Sequence, residues 1–450
     1  MNVNDKIDVG RELKNKTKFK MKNILLLILN LIALNTSAQD KEVLNWINEN
    51  AIEIEDADPN TDLPNFHKKI PDSFKNAKIF GFGEASHHGK EFFNIKAKFF
   101  KYLVKTQNVR VFIMEESYFA EAGINEYISG GEGDGSSLVK NFSIAPWQNQ
   151  QVIDLLKWMR SYNLNRPDEQ KIRFYGMDIQ YVEGINREVR DFVRKYNIPV
   201  SENLLLEIDN AAQKKIDYNS STNWADIQIP KIQKVQSIII DHQRNRNLNK
   251  KEEYSSILRV LDYLKKYSYY LQNTESEVRD RKMFENVRWI IENRSENGKA
   301  FIWAHNEHIN NKEISPYGSG WISVGGHLKN FYKEDYYSVY FDFGTGKVTG
   351  YVRRKNKPNY WDLYEIKKPF RRTYSKTLYE ANKDIYFIDM DKALENVYMK
   401  NFFSDKKKQL HLAASGYNPK DKSIISKKYS ELFDGLIYIK NISTATYDMN

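Results

Sequence analysis

Residues 79–116 read IFGFGEASHHGKEFFNIKAKFFKYLVKTQNVRVFIMEE, and the fold turns on how this stretch is parsed. A short apolar run, AKIFGF (77–82), ends in a polar loop. EFFNIKAKFFKYLVKTQ then sets Phe92, Phe99, Phe100 and Leu103 at helical spacing, and VRVFIM (109–114) is a second apolar run. Strand, helix and strand at that length make a βαβ unit, because parallel strands need a crossover of a dozen or more residues. The expected fold class is therefore α/β, a mostly parallel sheet flanked by helices.

The same texture recurs outward from this stretch: an apolar run, then polar residues able to do chemistry. AKIFGF leads into Glu84 and His87, VRVFIM into Glu115 and Glu116, IRFYGM (172–177) into Asp178, and KAFIWA (299–304) into His305 and His308. YYSVYFDF (336–343) and FDGLIYIK (433–440) read as further strands. Ligands of open α/β sheets bind beyond the carboxyl ends of the strands, so Glu84, His87, Glu115, Asp178 and His305 are expected on one rim. Residues 183–298 differ: INREVRDFVRKY, SENLLLEIDNAAQKK and EYSSILRVLDYLKKYSYYLQN are amphipathic helices, read as a helical insert or lid over the cleft. The expected layout is an N-terminal extension with a signal (1–38), a first core part (39–182), the insert (183–298) and a second core part (299–450). Residues after Lys347 are expected to complete the sheet and add little chemistry.

With 450 residues and 41% hydrophobic content, the chain can bury a large core. The net charge is +10, of which residues 1–38 contribute seven Lys/Arg against three Asp/Glu, leaving +6. That excess is read as a solvated surface without a dense basic patch interleaved with aromatics, so no nucleic-acid partner is expected. MKNILLLILNLIALNTSAQD (21–40) has the basic start, short apolar run and small-residue site of a secretory signal. Met21 is the expected start, Ala38 the expected end of the signal, and the mature protein is expected in the periplasm or outside the cell. The apolar run is short for a membrane span, although an uncleaved anchor is the competing reading. There is no cysteine, hence no disulfide, no thiolate chemistry and no Cys-type zinc site.

A histidine bonded to a carboxylate can take a proton from water near neutral pH while the carboxylate fixes its tautomer. Glu84 and His87, three residues apart, have that capacity. No G-x-S-x-G elbow is present, so water is a simpler nucleophile than Ser86. His305 or His308 would polarise a carbonyl or protonate a leaving alkoxide. Lys96 shares the apolar stripe of its helix, so it either snorkels outward or meets Glu84 or Glu115. Two other classes compete. The same His and Glu side chains offer N and O ligands suited to zinc, manganese or iron, and an inactive binding protein could retain the cleft.

These motifs in order, with PWQNQQVIDLLKWMRSYN, FYGMDIQ, VRDRKMFENVRWI, WAHNEHI and FDGLIYI, resemble the erythromycin esterase family from about Ile79 to Ile439. The resemblance implies a hydrolase without metal or other cofactor, in which a loop histidine activates water to open a macrolactone or related ester, on a bilobal α/β fold with a helical lid. It implies His87 as general base with Glu84 as its partner, Glu115 and Lys96 as a supporting charge network, and His305 at the oxygen side of the ester. His88, His308, Asp178 and Arg279 are expected around the substrate, and Arg279 with Asp280 matches an Arg-Asp pair before the WAHNEHI strand. The chain departs from the family at Lys96, often arginine there, and at His88, where glycine is expected. The partner is a small-molecule ester or lactone.

Overall fold

The computed structural model describes residues 39–215, 223–246, 250–314, 320–412, 416–419 and 423–445. The signal and start-site readings on residues 1–38 lie outside them. Nine strands form one sheet: β1 (Ile52–Glu53), β2 (Ile79–Phe82), β3 (Val111–Ser117), β4 (Arg173–Asp178), β5 (Ala300–Trp303), β6 (Tyr336–Val352), β7 (Tyr360–Ile366), β8 (Ile385–Asp389) and β9 (Gly435–Ile442). Their order is β1-β8-β9-β6-β2-β5-β3-β4, with β7 paired to the far end of β6. The six strands from β9 to β4 are mutually parallel, and β8 and β7 run against them. The α/β class expected from the sequence is the one found.

The parallel strands are buried on both faces, as such sheets must be. Phe80, Phe82, Phe112, Met114, Phe301 and Trp303 pack on one face and Ile79, Val111, Ile113, Ala300 and Ile302 on the other. The first face is covered by α1 (Lys90–Thr106) and α2 (Gln150–Asn163), which contribute Phe93, Phe99, Phe100, Leu155 and Met159. Between β4 and β5 the chain builds α3 (Ile185–Tyr196), α4 (Glu202–Gln213), α5 (Trp224–Asn245), α6 (Lys251–Gln272) and α7 (Ser276–Arg294). Helices α3 to α6 have an apolar core of their own, including Ile208, Ile239, Tyr254 and Leu264, whereas α7 lays Met283, Val287 and Ile290 on the second sheet face.

Arg259 of α6 ties this insert to the sheet edge. It donates to Glu121 through both terminal nitrogens, at 2.9 and 2.7 Å, and to the Gly176 carbonyl of β4 at 3.3 Å. Glu121 also accepts the Gly176 N–H at 2.7 Å, so the two side chains blunt an otherwise open edge strand.

β2 and β3, consecutive in the chain, are not neighbours in the sheet. β5 enters between β2 and β3, and β6 lies on the other side of β2. This reversal of direction opens a crevice at the carboxyl ends of β2 and β5.

Candidate active site

The loop after β2 is clamped before any chemistry is considered. Gly83 donates to Val339 of β6 at 2.9 Å, the Asn306 N–H after β5 donates to the Glu84 carbonyl at 3.1 Å, and Lys90 donates to Ser443 at 2.9 Å. Asn306 also grips Phe341 of β6 through its side chain, at 2.7 and 3.0 Å. That side chain lies where a Cβ on residue 83 would be, so only glycine lets the two loops approach.

Held this way, Glu84 is fully buried and contacts three side chains. His87 Nδ1 lies 2.5 Å from Oε1, the Trp147 indole N–H donates to the same oxygen at 3.0 Å, and the Lys96 ammonium donates to Oε2. Lys96 therefore pairs with Glu84 and does not snorkel. Its ammonium also lies 3.9 Å from the Trp303 ring centroid. Burial pushes it down to about 8 against the pull of Glu84 and Glu115. With Nδ1 committed to a carboxylate, His87 keeps its proton on that nitrogen and has Nε2 left as a base.

The second half comes from β3, β4, β5 and α7. A register shift between Met114 and Ser117 separates Glu115 from Glu116. Glu115 accepts the His305 backbone N–H at 2.8 Å and an Arg279 N–H at 3.0 Å, and it lies 3.1 Å from His308 Nε2. Arg279 is gripped in turn by both oxygens of Asp178, at 3.0 and 2.8 Å. His308 Nδ1 lies 2.6 Å from Asp280, which also accepts the Trp321 indole N–H at 2.5 Å. Burial alone would lower the His308 pKa, but Asp280 and then Glu115 outweigh it and raise it to about 10. His308 is thus a cation at neutral pH, and Arg279 Nη1, 3.0 Å from its Nε2, is a donor facing a donor, kept there by carboxylates on both sides.

His305 behaves oppositely. Burial, then the neighbouring His87, push it well below its ordinary value, so it stays neutral. Its Nδ1 accepts the Glu307 N–H at 3.3 Å, which puts the ring proton on Nε2. That Nε2 is buried and has no hydrogen-bond partner among the described residues. The His87 and His305 rings lie 5.0 Å apart, on the wall of a cavity of about 590 Å³. The site sets a base nitrogen on one imidazole beside an unused N–H donor on the next, both side chains on the wall of a ligand-sized cavity.

The expected residues do not all reach that space. His87, Glu115, His305, His308 and Arg279 line it. Asp178, expected beside the substrate, is fully buried behind Arg279 and positions it; Lys96 is likewise buried behind Glu84. His88 packs at a tilt against Trp361, ring centroids 4.6 Å apart, rather than adding a third imidazole at the centre, and burial, then His87, push its pKa down to about 3. Sequence reasoning missed Trp147, Glu307, His411, Trp321 and Trp361. Glu307 and Trp147 sit inside quoted motifs, but nothing in their spacing points them inward. Glu116 accepts from Ser143 and Ile144, at 2.7 to 3.0 Å, and so fixes the loop forming one wall. Among the described residues no three His, Asp or Glu side chains converge as a metal site. The oxygens of Glu84 and Glu115 are already taken by Lys96, Trp147, Arg279 and the His305 amide.

Comparison with known proteins agrees with the geometry. The erythromycin esterase family model matches residues 104–442. Erythromycin esterase type II of Escherichia coli is 23% identical over 322 residues, 65% of this chain and 75% of its own length. The putative hydrolase YbfO of Bacillus subtilis (strain 168) is 20% identical over 312 residues, 64% of this chain and 68% of its own. The fold is shared with the crystal structure of a Bacillus cereus protein (TM-score 0.77, 21% identity, 91% of this chain and 99% of that one). It is also shared with an erythromycin esterase mutant in its open conformation (TM-score 0.57, 16% identity, 87% and 97%). The chain belongs to the erythromycin esterase family of hydrolases.

Proposed function

We propose that this protein hydrolyses a macrolactone or a related carboxylic ester by histidine-activated water, and that it does so after export, with its first 38 residues removed. His87 Nε2 takes a proton from water as the water oxygen adds to the ester carbonyl. The carbonyl π electrons move onto its oxygen, which accepts a hydrogen bond from His305 Nε2–H. Collapse of the tetrahedral intermediate breaks the carbon–oxygen bond, and the imidazolium returns its proton to the leaving alkoxide. The products are an acid and an alcohol, joined in one molecule if the substrate is a lactone.

The observation that carries this reading is the chain Lys96–Glu84–His87 ending on a free base nitrogen opposite the free N–H of His305. Electrostatics favour the same direction of proton flow. The cluster holds four carboxylates, Glu84, Glu115, Asp178 and Asp280, against three cations, Lys96, Arg279 and His308. Protonating His87, 2.5 Å from the Glu84 carboxylate, brings the count to balance.

Mass spectrometry of a lactone and ester panel, incubated with chelator-treated protein, tests the proposal. The expected product gains one water, requires His87 and survives the chelator. Product only after metal is restored would transfer the chemistry to a metal site. N-terminal sequencing of protein recovered from the periplasm tests the export reading.

A further inference from the structure

The surplus charge of the chain is not spread evenly. Residues 347–372 hold nine Lys/Arg against Asp362 and Glu365, a net +7, which exceeds the +6 of the whole chain beyond residue 38. Aromatic residues Tyr351, Tyr360, Trp361, Tyr364 and Phe370 interleave with them. The composition of the whole chain suggests a solvated surface, whereas this segment alone is basic and interleaved with aromatics.

The fold puts this segment beside the catalytic cavity. β6 pairs with β2 as far as Val339 and with β9 as far as Gly346; its last six residues run past that carboxyl edge, where they pair with β7 and meet Gly416 and Tyr417 through a short bridge. The resulting arm stands on the ligand-binding rim. Strand alternation divides its two faces. Tyr351 and Trp361, opposite one another with ring centroids 5.1 Å apart, share one face with Leu363, and all three are exposed. Trp361 also lines the catalytic cavity and packs on His88. The turn beyond this rung, Arg353–Asn359, is exposed and carries four of the cations within roughly 7–14 Å of it at strand spacing.

We infer that the arm selects the substrate: it takes an anionic oligosaccharide, stacking a sugar ring on the Tyr351–Trp361 face and holding carboxylate groups at the Arg353–Lys357 turn, so that an ester on that saccharide reaches His87. This deepens the proposed function and rests on it. The apolar face of a pyranose ring packs on an indole while its hydroxyls stay wet, and an aromatic wall continuous with the cavity suits a chain of such rings. A membrane surface fits less well. Trp361, which anchors the exposed aromatic face, lines the cavity, and the turn that would meet lipid carries no large apolar side chain. The cationic turn also disfavours positively charged ligands.

Binding is tested apart from turnover by affinity electrophoresis of His87→Ala protein through gels containing polygalacturonate or dextran. Polygalacturonate alone is expected to retard it, and added salt to release it. Substituting Arg353, Lys355 and Lys357 together by serine should abolish the retardation, and Trp361→Ala should weaken it at least threefold. No retardation, equal retardation by dextran, or retardation unchanged in the triple variant overturns the inference. So does binding to phosphatidylglycerol vesicles or single-stranded DNA at a salt concentration where polygalacturonate is released. For turnover, the active protein is expected to release acetate from O-acetylated polygalacturonate with a KM at least tenfold below that for O-acetylated dextran, a preference absent from the triple variant. Equal KM values, or hydrolysis of small esters alone, overturn the substrate class. Hydrolysis of no ester at all overturns the reading beneath it instead.

Discussion

Two buried ion-pair systems in this molecule use the same residue types to opposite ends. At the sheet edge, Arg259 and Glu121 satisfy one another and both backbone polar groups of Gly176, and the guanidinium sits 4.9 to 5.4 Å from the ring centroids of Tyr118, Tyr175 and Trp289. At the crevice, Lys96, Glu84 and His87 are more deeply buried still, yet His87 Nε2 and His305 Nε2–H are left unused beside a cavity. Burial and charge pairing therefore do not mark a reactive site by themselves. The mark is hydrogen-bonding capacity left over on side chains that line a cavity.

If that distinction is right, substitutions in the two systems separate activity from stability. His87→Ala should lower kcat by about 10²- to 10⁴-fold, the usual contribution of a positioned acid/base group, with the urea midpoint unchanged; wild-type turnover on a proven substrate would break the comparison. Arg259→Ala should do the reverse. It leaves Glu121, about a tenth exposed, without its cation, costing about 1–3 kcal/mol in urea unfolding, while the protein that remains folded keeps its kcat.

Lys96 sharpens the contrast through pH. Its ammonium lies near 8, so the neutral amine that forms above that pH ceases to hold the Glu84 charge, and the rate should fall. Lys96→Arg keeps the charge to higher pH and should move this alkaline limb upward; a limb at the same pH in both proteins would show that another group sets it. His308 gives the smallest effect, on stability. Its pKa is raised in the folded state, from 6.5 to about 10, so the stabilisation is complete below about pH 6.5 and disappears as pH rises toward 10. The difference in unfolding free energy between wild type and His308→Gln should shrink over that window, and a constant difference would mean that His308 is neutral when folded.

Much of this was legible in the chain. The period of apolar residues in 79–116 specifies a parallel α/β sheet, and a lysine inside the apolar stripe of α1 narrows to snorkelling or a pair with Glu84 or Glu115, of which the fold uses Glu84. What stayed hidden follows from physics that is not local. Hydrophobic pattern says that residues 300–303 form a strand but not that this strand slots between β2 and β3. Trp147, in a 3₁₀ turn 63 residues from Glu84, carries no periodic signal. Asp178 follows its strand just as Glu115 does, yet only the turn of α7 decides that Arg279 covers it. Trp361 lies in a late strand whose pattern suggests only sheet completion, whereas its ladder with β6 runs past the carboxyl ends of the parallel strands.

The strand order also dictates when the site can exist. β2 is the first parallel strand in the chain, but both of its neighbours, β5 and β6, follow the helical insert. During synthesis, at about 5–20 residues per second, the segment IFGF and the loop carrying Glu84 and His87 leave the ribosome on the order of ten seconds or more before anything can pair with them. A nascent chain that ends before Ala300 holds its future reactive centre on an unpaired apolar strand. Such a chain is inert as a hydrolase and prone to aggregate until its C-terminal third arrives.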